Sequence, residues 1–223
     1  MSLKLFISAI LKFLLGVVLV GALVFLPAGT LNYTGGIIFM CVLFIPMFIA
    51  GIVMMIKAPS LLAKRLDAKE KEREQSIVIK LSGLMFLVGF ILAGLDFRYG
   101  WIKLPIGVSI AATVVFIIAY VLYAEVLREN AYLSRTIEVQ EGQKVVDTGL
   151  YGIVRHPMYA VTLALFLSMP LILGSVISFF VFLAYPFIIA ARIKNEEKVL
   201  TEGLEGYREY KQKVKYRLIP FIW

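Results

Sequence analysis

The single histidine of the chain, His156, stands in the run Arg155-His156-Pro157-Met158-Tyr159. Pro157 suits the first turn of a helix, where its missing N–H costs nothing. Backbone N–H groups left free at such a helix start, with Arg155 and His156 beside them, would make a site for a carboxylate or a phosphate. Farther along, Arg192 and Glu196 are four residues apart, so on a helix they share one face. As a plain surface pair they contribute only about 0.2–0.5 kcal/mol. Their importance depends on whether that helix carries them to the Arg155–Tyr159 segment. A plainer reading stands beside this one: Arg and His at the edge of a membrane span are ordinary interfacial anchors. The only cysteine, Cys41, lies in an apolar run, so neither a disulfide framework nor a zinc site can form, and no metal is expected.

The composition decides the solvent in which these groups work. Of 223 residues, 61% are hydrophobic and 17% charged, with a mean hydropathy of +0.89. Soluble domains are about 45–50% apolar and about 25% charged. A chain of this length cannot hide the excess in one core, and lipid is the simplest place for it. A soluble enzyme, a disordered tail and a nucleic-acid-binding domain are excluded together.

Six hydrophobic segments follow from the pattern. They run from about Leu5 to Leu26, Gly36 to Ile56, Leu81 to Leu95 and Leu104 to Leu127, with Met158–Ala191 holding the last two. That last region has 34 residues, too many for one helix and enough for a helical hairpin turning near Pro170 and Gly174. The fold class is therefore an all-α polytopic membrane protein with five to six transmembrane helices. With the N-terminus in the cytoplasm, the outer loops hold only Arg98 and Lys103, and the other 21 of 23 basic residues fall inside, as do 14 of 15 acidic ones. This is the positive-inside pattern. It places both termini and the active site on the cytoplasmic side, and it accounts for the net charge of +8 without nucleic acid. No ionisable residue lies deep within a span, and no matched pair of broken half-repeats is present, which counts against a channel or transporter.

Three polar segments hold the groups able to do chemistry. Lys57–Lys80 reads as an amphipathic connector at the headgroup level. With the first two spans it forms an N-terminal scaffold, residues 1–80, ahead of a core over 81–223. In Arg128–Pro157, the stretch Thr136–Val146 alternates like a short extended segment, and Asp147-Thr-Gly-Leu-Tyr151 reads as a turn. Arg192–Trp223 continues as an amphipathic helix through Glu197, Leu200, Leu204, Tyr207 and Tyr210. It ends in a basic and aromatic tail that reads as a membrane anchor.

Taken in order, Gly149-Leu-Tyr-Gly-Ile-Val-Arg-His-Pro-Met-Tyr159, the hairpin, Arg192-Ile-Lys-Asn-Glu-Glu197, Gly206-Tyr-Arg-Glu-Tyr210 and Tyr216-Arg-Leu-Ile-Pro220 resemble the isoprenylcysteine carboxyl methyltransferase family and its phospholipid methyltransferase relatives. The resemblance covers roughly the C-terminal 95 residues and implies a membrane methyltransferase that uses S-adenosyl-L-methionine. It implies cofactor contacts at Tyr151, Arg155, His156, Pro157, Met158, Tyr159 and Glu196, with Gln140 and Gln143, Lys144, Val145 and Val146 as the approach. It also implies that Arg192 holds the acceptor's carboxylate, so that Arg192 and Glu196 are the catalytic pair. An Arg holds a carboxylate by two parallel hydrogen bonds, which a Lys does less well. The acceptor would be a lipophilic small molecule or a lipid-tethered group drawn from the membrane lipid phase. The sequence carries no signal of oligomeric state. Two other classes fit parts of the pattern: an NADPH-dependent membrane sterol or lipid reductase, and a non-catalytic membrane scaffold.

Overall fold

The computed structural model describes residues 3–66, 73–133 and 139–223. Over these residues the chain forms helices α1 (Leu3–Ala28), α2 (Thr34–Lys57), α3 (Pro59–Leu66), α4 (Arg73–Tyr99), α5 (Ile106–Glu129), α6 (Pro157–Ile172), α7 (Val176–Phe182), α8 (Tyr185–Gly203) and α9 (Tyr207–Lys213). Helices α1, α2, α4, α5 and the joined α7–α8 are each long and apolar enough to cross a bilayer, and the protein is a polytopic membrane protein. Leu15, Ile56 and Val121 lie exposed on the outside of the bundle, as residues facing lipid do.

The α6/α7–α8 pair is the hairpin expected from the sequence. Gly174 supplies its turn, with φ +76, a conformation open to a residue without Cβ. Pro170 lies inside α6 rather than at the turn. The hairpin crosses the whole bundle, because its turn meets the loops at the far end. The Tyr33 hydroxyl donates to the Leu173 carbonyl, and the Ser175 hydroxyl donates to Asp96 Oδ2 at 2.6 Å. Asp96 also accepts from the Ile102 amide at 3.1 Å. At 16 residues, α6 is about 24 Å long, short of the roughly 30 Å hydrocarbon layer. Six segments thus traverse the bundle, five of them long enough to span alone.

α1 packs along α4 at Gly94, where a Cβ would come within 2.6 Å of the Val24 carbonyl oxygen. Small residues let membrane helices approach this closely. α5 lies along α6, and one core cluster runs from Val24 through Phe116 and Tyr159 to Leu218. The 1–80 and 81–223 portions share it.

Three boundaries differ from the sequence reading. α4 begins at Arg73 rather than near Leu81, so the polar end of the connector is the first turns of a spanning helix. Residues 67–72 of the connector and 134–138 of the alternating segment lie outside the described residues. From Val139 to Val146 the chain runs as loop, with a turn at Glu141–Gly142 and no strand; no neighbouring strand edge is present there to pair with it. The tail is more than an anchor: Leu218 is buried in the core, and the Tyr216 and Arg217 carbonyls bond to the Arg155 and His156 amides, each at 2.9 Å.

Candidate functional site

The first turn of α6, the last turns of α8, the loop before η-turn Gly149–Gly152 and helix α9 converge on one cleft. Pro157 occupies the first position of α6 and His156 its N-cap. The anion site expected there from free backbone N–H groups does not form in that way. The Arg155 and His156 amides are taken by the tail carbonyls, and those of Tyr159 and Ala160 by His156 itself.

The cleft floor is built by one phenol. The Tyr159 hydroxyl donates to Glu196 Oε2 at 2.5 Å and accepts from Arg192 Nε at 2.9 Å. The i, i+4 pair of α8 is therefore joined through a side chain of α6. Tyr159 is buried, so this link sets the orientation of both charged groups.

Beside it lies a carboxylate with a different task. Glu197, 4% exposed, accepts from Arg155 Nε at 2.7 Å and from Arg217 Nε at 2.9 Å. His156 Nε2 is 3.3 Å from the same carboxylate. Arg155 Nη1 donates to the Val214 carbonyl at 2.7 Å and to the Lys215 carbonyl at 2.8 Å. Arg155 and His156 thus border the cleft while their polar atoms tie α6, α8 and the tail together. Sequence reasoning did not single out Glu197 or Arg217. Their signal was present in the Glu196-Glu197 doublet and in an Arg three residues before a tail proline.

Every sequence-nominated residue lines the cleft except Gln140 and Pro157. Pro157 is fully buried under it. Gln140 holds the loop instead, donating from Nε2 to the Tyr132 carbonyl at 2.5 Å and from its amide to Gln143 Oε1 at 2.9 Å. Added to the nominated set are Asn130, Tyr132, Leu133, Leu200, Leu204, Tyr207 and Tyr210. Of these, Leu204, Tyr207 and Tyr210 form a small core with Val139 and Val145 that fixes the loop against α9.

Two buried phenols face this cleft: Tyr151, beside the Asn130 side chain, and Tyr207, whose hydroxyl has no hydrogen-bond partner among the described residues. Burial pushes both well above the usual tyrosine range, with the Glu197 charge adding to it at Tyr207 and the Asn130 side chain opposing it at Tyr151. Both are protonated donors at neutral pH. An unmatched buried hydroxyl costs about 1–3 kcal/mol, so the cleft is complementary to a polar ligand that supplies acceptors. Tyr207→Phe should leave the thermal midpoint unchanged or raised and should weaken ligand binding by about two- to tenfold. A lowered midpoint with unchanged affinity would contradict that assignment. The cleft has a volume of about 90 Å³, below the roughly 300–1,000 Å³ of small-molecule pockets, so a nucleoside-sized ligand would have to extend out of it.

A second cavity of about 590 Å³ adjoins the first from the bundle side. It is lined by α1, α2, α3, α5 and α6, largely with apolar side chains, and Phe48 and Ile52 on its wall are exposed on the outside of the bundle. Thr162 lines it one turn beyond Tyr159 and donates to the Tyr159 carbonyl at 3.1 Å. A polar cleft and an apolar cavity therefore share the start of α6 as their wall. No group of three or more His, Cys, Asp or Glu able to hold a metal occurs among the described residues.

Residues 108–202 match the Isoprenylcysteine carboxyl methyltransferase (ICMT) family. That segment takes in most of α5, the cleft-lining loop, α6, α7 and nearly all of α8. The chain is also similar to the Delta(14)-sterol reductase of Mus musculus, 30% identical over 91 residues. That match covers 40% of this chain and 22% of the reductase, so the chain spans about a fifth of the length of this relative.

Proposed function

We propose that the protein is an integral-membrane S-adenosyl-L-methionine-dependent methyltransferase. In this reading it methylates a carboxylate, or another nucleophile, of a lipophilic acceptor at the cytoplasmic face of the membrane. The observation that carries this reading is the Arg192–Tyr159–Glu196 link, set where the polar cleft and the apolar cavity meet. The cofactor would lie against Tyr151, Tyr207 and the Gln143–Val146 loop. The acceptor's tail would lie in the apolar cavity, reached sideways from the bilayer. The charge distribution favours a cytoplasmic cleft.

Bound S-adenosylmethionine would supply an activated methyl group on a sulfonium. The residues of this chain then have positioning work to do. A carboxylate acceptor is already ionised at pH 7 and needs no base. The Tyr159 hydroxyl fixes the plane of the Arg192 guanidinium, whose fork matches a carboxylate. Glu196, held by the same hydroxyl, balances the positive charge of the donor. Holding two reactants in line removes entropy from the barrier, and effective molarities from such alignment are large. With an amine or thiol acceptor a proton must leave, and Glu196 with Tyr159 is the nearer pair, since His156 is engaged with Glu197.

The similarity to a sterol reductase supports a second reading, an NADPH-using reductase. Such a site needs cations for the extra phosphate. Three cations line the cleft, Lys144, Arg155 and Arg192, and of these Arg155 is engaged with Glu197 and two carbonyls.

The deciding experiment is calorimetric titration of the detergent-purified protein with S-adenosylhomocysteine and, in parallel, with NADPH. Saturable binding of S-adenosylhomocysteine with NADPH silent is the expected result. Binding of NADPH alone would move the protein to the reductases, and binding of neither would leave a scaffold.

A further inference from the structure

The basic and aromatic tail closes on itself. The amides of Arg217, Leu218 and Ile219 all donate to the Trp223 main-chain oxygen, and the Ile222 and Trp223 amides donate back to the Ile219 carbonyl at 3.1 Å each. Leu218 enters the core of the bundle. Ile219, Phe221 and Ile222 stand out of it, with Phe221 88% and Ile222 77% exposed. Phe221 is also, among the described residues, the only one other than glycine with a positive φ, at +66. That backbone is strained for a bulky side chain, whereas glycine adopts it freely. The turn thus holds a large apolar group outward at a conformational cost. In water neither feature brings a compensating gain.

The turn is rooted where α6 enters the bundle. The Tyr216 and Arg217 carbonyls accept from the Arg155 and His156 amides, and Pro157 then opens α6. Ile153, two residues before Arg155, is exposed as well. From Lys211 to Trp223 the chain carries four cations and no acid. Lys213 and Arg217 are paired with Asp147 and Glu197, while Lys215 is exposed. Apolar and aromatic side chains flanked by cations suit the boundary between acyl chains and headgroup phosphates. We infer that the 219–223 turn is a docking surface for the headgroup layer of the bilayer, into which Phe221 and Ile222 insert. Seated there, the tail braces the cleft from the membrane side, because the same segment holds the Arg155 and His156 amides and, through Arg217, Glu197. This stands on the tail and the membrane fold, whichever reaction the cleft performs.

The test reads the depth of Trp223. Trp101→Phe leaves Trp223 as the sole tryptophan, and its fluorescence is measured with a single chain per nanodisc. The lipid is phosphatidylcholine brominated either near the glycerol end of the acyl chain or near its methyl end. Trp223 should lose most of its emission to the shallow bromines and little to the deep ones. Adding Phe221→Gly and Ile222→Ser removes the inserting side chains and relieves the strained backbone. That variant should lose most of the quenching, while its thermal midpoint in detergent stays equal or rises. A purely structural role for Phe221, whose ring lies 5.3 Å from that of Tyr216, predicts the reverse, a lowered midpoint with quenching retained, and that result overturns the inference. So does the absence of quenching at either depth, which would mean that water or a partner protein covers the turn, and so does equal quenching at both. The depth measurement on the unsubstituted tail decides the matter even if the variant fails to fold.

Discussion

Glu197→Ala should destabilise the protein by about 3–5 kcal/mol, the usual cost of breaking a buried ion pair by removing one partner. Arg155 would be left charged, buried and facing an empty volume, with His156 beside it. For a chain of this size that corresponds to a fall of roughly 6–20 °C in the unfolding midpoint, read by a thermal scan of purified protein at fixed rate. The Arg217 contact contributes less, because the Arg217 side chain is 31% exposed and exchanges with water. Glu196→Ala is the informative comparison. Glu196 bonds to the buried Tyr159 phenol at the edge of the cleft, and its removal, which leaves that hydroxyl without its acceptor, should cost about 1–3 kcal/mol, less than Glu197→Ala, while weakening S-adenosylhomocysteine binding. Equal midpoints for Glu197→Ala and wild type would show that the tail and α6 are held together by something other than this carboxylate.

The contrast between neighbours marks how far the sequence could be read. Successive residues on a helix point about 100° apart, so Glu196 and Glu197 must serve different surroundings. Nothing local says which carboxylate faces a ligand and which a structural cation. That is decided by Arg155 and Arg217, which arrive from elements distant in the chain. Membrane spans were legible because lipid imposes a length and a composition on each, and the hairpin turn was legible because Gly174 is the residue that tolerates its backbone. The sharing of a face by Arg192 and Glu196 was legible from spacing, but the phenol that joins them was not, since Tyr159 reaches them only through the packing of α6 on α8. The loop before the α6 site alternates in polarity as a strand would. Without a neighbouring edge, alternation has nothing to pair with, and the segment is fixed by the packing of Val139 and Val145 on α9.

On the proposed methyltransferase reading, Arg192→Ala should reduce methyl transfer to a lipophilic carboxylate acceptor by about a hundredfold or more, the scale of loss when a reacting group is left unpositioned. S-adenosylhomocysteine affinity should change little, because the Tyr159–Glu196 bond survives the substitution. Arg192→Lys keeps the charge but cannot reproduce a planar fork held by Tyr159, so it should recover only part of the loss. Tyr159→Phe separates this role from mere charge. It removes one hydroxyl yet loosens both Arg192 and Glu196, and a hydrogen bond to a charged group contributes about 1.5–3 kcal/mol. Its effect should therefore appear in cofactor affinity and in turnover together, each by roughly ten- to a hundredfold. Arg192→Ala with normal turnover would refute the acceptor-holding role. If Tyr159→Phe lost turnover alone, Glu196 would have its orientation from another source, and the link through the phenol would serve the acceptor side only.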